Sequence, residues 1–361
     1  MPGPGRADGA VQEDQRSGRS LGGGEGEGRS EAGAFGYVQL AQNVSSGELV
    51  AIKFIPLGPR FYVRYVERET INHRRLTHPH IVAFKEVMLT SRHLGIVMEY
   101  VGGGNLQSFV ERRGPLPEAL ARCFFQQLVL ALRHCHARLG IAHRDIKLGN
   151  LLLDDRFAVP ILKICDFGYS KALAPHSAPK TRVGTAAYCA PEVAASAGDR
   201  PYDVEKADVW SAGVTLYCML LGRYPFVDDK HRARLRAIAS LSDADVDLAC
   251  SPLDVEAPGA AALLRKILRV DPRQRAGFAQ VVEDPWFLTL LPDTSRMEAD
   301  AEAEAAAAES AGGAQAEAEI RAALAAADAL SKRIAAAEEN GDVDDVLDDI
   351  DDEGLAQLED R

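Results

Sequence analysis

Two clusters of polar residues stand close together between Ala142 and Gly168, and each follows an apolar run. The first reads Ala142-His-Arg-Asp145-Ile-Lys147-Leu-Gly-Asn150; the second reads Leu162-Lys-Ile-Cys-Asp166-Phe-Gly168. A lone Asp-Phe-Gly is a commonplace turn. Both clusters in this order, each behind a run able to form a strand or helix, are far more specific. Asn150 and Asp166 offer oxygen ligands of the kind a hard, partly hydrated divalent cation takes. Asp145 offers a carboxylate able to accept a proton.

The chain has 361 residues, enough for one two-lobed domain with extensions or for two modest domains. No run approaches the roughly 18 apolar residues of a membrane span, and the Gly- and Arg-rich N-terminus has no signal-peptide core. A soluble intracellular protein, cytoplasmic or nuclear, is expected. Cys123, Cys135, Cys165, Cys189, Cys218 and Cys250 lie far apart with no Cys-x-x-Cys pair, so free thiols are expected. Asn43-Val44-Ser45 matches a glycosylation acceptor, which without a secretion signal reads as a turn. The net charge of −12 is concentrated in the tail. From Thr294 onward there are 20 acidic and 5 basic residues, so the preceding part is slightly basic. Nothing resembles a nucleic-acid-binding stripe, and a polyanionic tail opposes such binding.

Residues 1–30 hold nine glycines and few large apolar side chains, a composition expected to be disordered. Phe35-Gly-Tyr-Val-Gln-Leu and Glu48-Leu-Val-Ala-Ile-Lys-Phe read as two strands joined by a Ser45-Ser46-Gly47 turn. A helix is expected from about Val63 to Leu76, and a further strand ends at Gly95-Ile-Val-Met-Glu-Tyr-Val101. Pro117 and Glu118 open an amphipathic helix through Phe124, Leu128 and Leu132. His134 and His136 point to different faces of that helix, which favours packing over metal binding. Val214 to Leu221 belongs to a buried helix headed by Asp208-Val-Trp. In the tail, Ile320, Leu324, Ala327, Leu330 and Ile334 fall on one helical face, followed by the acidic run from Asp342 to Glu353. A solubilising low-complexity tail is the plain alternative.

The two clusters resemble the paired signatures of protein kinases. That resemblance implies an α+β, bilobal fold: a small β-rich lobe over 31–101, a large helical lobe over 102–291, and a regulatory tail over 292–361. It implies ATP and Mg²⁺ in the cleft between the lobes. Asp145 would be the base, Lys147 the partner of the γ-phosphate, and Asn150 and Asp166 the metal ligands. Lys53 of Val50-Ala51-Ile52-Lys53 would hold the α/β-phosphates, paired with Glu69 in preference to Glu67. Gly33, Gly36 and Val38 match the second half of a glycine-rich loop, while Glu31 stands where the family has the first loop glycine. Ala51, Met98, Glu99, Val101 and Leu152 would line the adenine pocket, with the backbone of Glu99 and Val101 bonding the base. Lys147 marks the serine/threonine class. The segment between Asp166 and Ala190-Pro191-Glu192 would be an activation loop phosphorylated on Thr181 or Ser177, with Arg144 and Lys171 as partners. Thr185 would orient Asp145 and Lys147, and Arg275 would pair with Glu192.

Arg68-Glu-Thr-Ile-Asn-His-Arg, Ile96-Val-Met-Glu-Tyr, Leu162-Lys-Ile-Cys-Asp-Phe-Gly-Tyr-Ser-Lys and Asp208-Val-Trp-Ser-Ala-Gly-Val-Thr-Leu-Tyr are similar to a narrower group. They resemble the plant and green-algal sucrose-non-fermenting-related kinases of subclass two, which respond to osmotic stress and abscisic acid. This implies protein substrates, an upstream kinase, a tail helix on the small lobe and an acidic segment of the kind that in some members docks a type-2C phosphatase. Departures are Glu31, Ala186 in place of a usual proline, and Arg182 in place of a second phosphorylatable residue. The rival readings are a pseudokinase acting through its tail and a small-molecule kinase of similar fold.

Overall fold

The computed structural model describes residues 36–156, 159–167, 185–196, 201–226, 231–291 and 315–340, with the backbone of 11–12 and 171–172. These residues divide into two compact units, one holding 36–74, 83–100 and 315–340, the other 75–82 and the described part of 101–303.

The first unit is built on an antiparallel sheet ordered β1-β2-β3-β5-β4. Its strands are β1 Val11–Gln12, β2 Tyr37–Asn43, β3 Leu49–Pro56, β4 Phe84–Leu89 and β5 His93–Glu99. Between β2 and β3 the Asn43 side chain accepts from the backbone N–H of Ser45 at 3.0 Å and of Ser46 at 2.9 Å. Asn43-Val-Ser is thus an ordinary Asx turn. Composition gives no reason for β1, whose backbone pairs with Gln42 and Asn43; the rest of 1–30 lies outside the described residues. Because β3 is central, Val50 to Ile55 are all buried. One helix, α1 (Val63–Arg74), covers the face that carries Ile55 and Lys53.

A second helix, the tail helix Glu317–Asn340, packs on the same unit. Ile320, Leu324 and Ala327 join Ile55, Phe61, Val66, Phe84, Val87, Leu94 and Ile96 in one cluster, and Leu330 and Ile334 rest on Leu57. Polar contacts fix its direction. Arg74 donates to the Gln315 carbonyl at 2.8 Å, Arg321 pairs with Glu67, and the Gly58 N–H donates to Ser331 Oγ at 3.1 Å. The helix therefore runs antiparallel to α1. Burying one large aliphatic side chain contributes about 1.5–3 kcal/mol, whereas solvent screens an exposed ion pair such as Arg321–Glu67 and leaves it little net contribution. The apolar stripe holds the helix; the ion pair sets its register. Leu324→Asp is accordingly expected to release it, seen as faster proteolysis within 317–340 and a lower unfolding temperature.

The second unit is mostly helical. It contains α2 Leu106–Arg113, α3 Glu118–Leu139, α4 Pro191–Ala195 and α5 Val204–Leu221, with shorter helices continuing to Leu288. α5 is apolar nearly all round, as suits a central buried helix, and starts where Asp203 accepts from the N–H groups of Glu205 and Lys206. None of the six cysteines is in a disulfide. Burial pushes the Cys218 thiol up to about 12 and that of Cys250 up to about 11, so neither is a nucleophile at neutral pH. No helix among the described residues is long and apolar enough to cross a membrane.

His78, His80 and His134 meet in this unit, with ring centroids 5.5 Å apart for His78–His80 and 5.1 Å for His78–His134. The His80 N–H donates to His78 Nδ1 at 3.1 Å, which requires that nitrogen to be unprotonated. Burial, then the neighbouring His80, His134 and Lys163, lowers His78 to about 3; burial lowers His80 to about 4 despite its bond to the Leu162 carbonyl. In the unfolded chain a histidine titrates near 6.5. Between pH 6.5 and about 4 the unfolded state therefore binds more protons than the folded one, and stability falls as pH falls. The urea midpoint is expected to drop from pH 7 to pH 4.5, and His80→Asn is expected to flatten that dependence.

Candidate active site

Asp208, in the second turn of α5, organises the loop that carries Asp145. Its carboxylate is fully buried and accepts from the backbone N–H of His143 and of Arg144, each at 2.8 Å, with His136 Nε2 also at 2.8 Å. Burial alone would raise its pKa. The His136 bond, the charges of His136 and His143 and the Arg144 N–H instead hold it below the usual carboxylate range. These bonds stabilise a strained backbone, because Arg144 has φ 71°, a left-handed conformation that non-glycine residues rarely adopt. From sequence, Asp208 is only the head of a structural helix. A charged residue opening so apolar a run is the one signal that it has a buried partner.

Asp145, 4 % exposed, projects from this loop. Its Oδ2 accepts from Lys147 Nζ at 2.8 Å and from Asn150 Nδ2 at 3.1 Å; its Oδ1 accepts from Thr185 N at 2.9 Å and Thr185 Oγ1 at 3.1 Å. Lys147 Nζ also donates to Thr185 Oγ1 at 2.9 Å, closing a ring of contacts. The Asp145 N–H donates to His143 Nδ1 at 3.2 Å, and His143 Nε2 donates in turn to the Cys165 carbonyl at 3.1 Å. Both oxygens of Asp145 are thus oriented by donors on two separate segments.

A short hairpin brings the second cluster alongside. β6 (Ile141–Ala142) precedes the loop, and β7 (Leu151–Asp154) pairs with β8 (Ile161–Ile164), with Leu151 opposite Ile164. That register sets Asn150 and Asp166 at the same end of the hairpin, where the Cys165 N–H donates to the Asn150 carbonyl at 3.0 Å. Asn150 Nδ2 donates to the Asp145 carbonyl at 2.8 Å as well as to its carboxylate, which leaves the amide oxygen as the group to ligate a cation. Asp166 is exposed and also left-handed, with φ 61°. Two oxygen donors of this kind fit a hard divalent cation.

In the first unit, Lys53 Nζ lies 2.6 Å from Glu69 Oε1, with side chains 10 % and 9 % exposed, while Glu67 pairs with Arg321. Lys53 sits between Val38 on β2 and Ile96 on β5, and Ala51 lies opposite Met98. Gly36 has φ 77°, and a Cβ there would fall 1.7 Å from the Phe54 carbonyl oxygen. Glycine is therefore required at 36 by the sheet itself, a reason that no local pattern in the sequence contains. The Glu99 N–H is committed to the Ala83 carbonyl at 2.9 Å, so Glu99 can offer a base its carbonyl and not its N–H. In the second unit Val101 is buried, and Leu152 is half-buried opposite Lys163. Gly33, Glu31, Thr181 and Ser177 lie outside the described residues.

Arg144, expected to pair with a phosphate on the activation loop, has a neutral partner here: its Nη2 donates to the Tyr202 hydroxyl at 3.0 Å. Tyr202 lies 58 positions away, so no local pattern discloses it.

Comparison with known proteins adds an independent line. The protein kinase domain profile matches residues 31–287. The chain is 47% identical over 270 residues to the serine/threonine-protein kinase SAPK5 of Oryza sativa subsp. japonica, covering 75% of this chain and 71% of that one. It is 45% identical over 275 residues to the serine/threonine-protein kinase SRK2D of Arabidopsis thaliana, covering 74% and 73%. It is 44% identical over 265 residues to an abscisic acid-inducible protein kinase of Triticum aestivum, covering 72% and 76%.

Proposed function

This chain belongs to the protein kinase family and is a serine/threonine kinase, and from that premise we propose how its residues divide the work of phosphoryl transfer. Asp145 accepts the proton of the substrate hydroxyl. The observation that carries this assignment is its carboxylate, oriented through both oxygens by Lys147, Asn150 and Thr185. Lys147 steadies the transferred phosphoryl group, and Thr185 holds Lys147 against the base. Lys53, kept in place by Glu69, takes the α/β-phosphates of ATP. Gly33, Gly36, Val38, Ala51, Met98, Val101 and Leu152, with the carbonyl of Glu99, bind the rest of the nucleotide. Asn150 and Asp166 hold Mg²⁺, which when bound neutralises charge on the β- and γ-phosphates. A fold kept without chemistry is not favoured, because the Lys53–Glu69 pair and the contacts of Asp145 are all intact.

The wider reading follows the relatives. Residues 31–101 and 102–291 act as the two lobes and 292–361 as a regulatory tail. Phosphate on Thr181 or Ser177, added by an upstream kinase, draws Arg144 from Tyr202 and sets activity. The acidic segment docks a type-2C phosphatase, and the kinase works on protein substrates in the cytoplasm or nucleus. The Triticum aestivum relative is an abscisic acid-inducible kinase, which supports a role in stress signalling.

Calorimetric titration of the full chain with ATP, with and without Mg²⁺, tests the nucleotide assignments. Lys53→Met should weaken binding by about 10-fold or more, the loss of a charged hydrogen bond. Asp166→Asn should abolish the gain from Mg²⁺. Unaltered titrations in both variants would contradict these roles.

A further inference from the structure

The start of α1 is unusual in its charge. A helix N-terminus favours anions, yet the first turn of α1 has no acidic residue and carries Arg64. Arg60 lies just before it and Arg68 one turn later, and all three are exposed, with no ion-pair partner among the described residues. The neighbouring acids do not neutralise them: Glu67 is taken by Arg321 and Glu69 by Lys53. Tyr62 and Tyr65 stand among the arginines, 61 % and 62 % exposed, with their rings edge to face at 6.2 Å. Three cations around two aromatic rings form a surface for an acidic chain that also carries apolar side chains.

This protein contains such a chain. The tail helix runs antiparallel to α1, so its C-terminal half arrives beside the start of α1; Ile334 lies 3.8 Å from where a Cβ of Gly58 would stand. The helix continues to Asn340, about 9 Å further on. After Gly341 comes Asp-Val-Asp-Asp-Val-Leu-Asp-Asp-Ile-Asp-Asp-Glu353, with eight carboxylates and Val343, Val346, Leu347 and Ile350 among them. Five extended residues span up to roughly 17 Å, enough to turn back to Arg60.

We propose that residues 342–353 dock within the same molecule on the patch formed by Arg60, Arg64 and Arg68, with their aliphatic side chains over Tyr62 and Tyr65. A short tether gives an effective concentration of about millimolar, so pairs too weak to bind between molecules suffice within one. The docked segment is then withheld from outside partners until a stronger basic surface competes for it. This docking does not depend on the catalytic assignments.

Zero-length carbodiimide cross-linking of the full chain tests it. One variant, Arg64→Lys, places an amine in the patch; another, Val44→Lys, places one at the exposed β2–β3 turn, at the opposite end of β3 from Gly58. In the monomer band, position 64 of the Arg64→Lys variant should cross-link to carboxylates of 342–353 about tenfold more than position 44 of the Val44→Lys variant does. The excess should vanish as salt rises to about 0.5 M. Equal yields at the two positions, links found only between molecules, or links from position 64 only to other stretches would overturn the proposal.

Discussion

Asp145→Asn is expected to lower kcat for peptide phosphorylation about 10²–10⁴-fold while leaving ATP affinity and the unfolding temperature nearly unchanged. The carboxamide cannot take up the hydroxyl proton. It also turns an NH₂ group toward donors, because Lys147, Asn150 and Thr185 all donate to this side chain. Folding should survive, since Lys147 is 27 % exposed and can turn to water, and the loop is held separately by Asp208. Initial rates, nucleotide titration and thermal unfolding of the two proteins check the three parts. A variant with full activity would remove Asp145 as base.

The largest loss of stability is expected from Arg275→Met. The Arg275 side chain is fully buried, bonds both oxygens of Glu192 at 2.7 and 2.8 Å, and donates to the carbonyls of Arg269, Lys206 and Val270. It also lies 5.0 Å from the centroid of the Trp210 ring. Methionine fills much of the space but leaves Glu192 and three carbonyls without their donor. Breaking one partner of a buried pair costs about 3–5 kcal/mol. Urea unfolding should show that loss, whereas Arg273→Met, whose pair with Asp271 is open to solvent and screened, should leave the midpoint nearly unchanged.

Much of the site was legible because it is local. Asp145, Lys147 and Asn150 lie within six positions, and Lys53 and Glu69 are separated by one strand, one turn and one helix. Their chemistry is written in the residue types. The tail helix was legible for a different reason: Ile320, Leu324, Ala327, Leu330 and Ile334 follow the helical period, and those five are buried. What sequence reasoning missed are contacts made by distant residues. Asp208 reaches back 65 positions to His143, and Tyr202 reaches 58 to Arg144. Gly36 reads in the sequence as part of a glycine-rich loop, whereas the Phe54 carbonyl already forbids any other residue there. Neither kind of constraint leaves a local pattern, because each depends on how one segment is laid against another.

The most direct measurement is transfer of labelled γ-phosphate from ATP·Mg²⁺ to a serine- and threonine-containing peptide by the full chain, with Lys53→Met as the blank. Label on serine or threonine well above that blank is the predicted result. Transfer no higher than that of Lys53→Met, even after treatment with an activating kinase, would contradict the account.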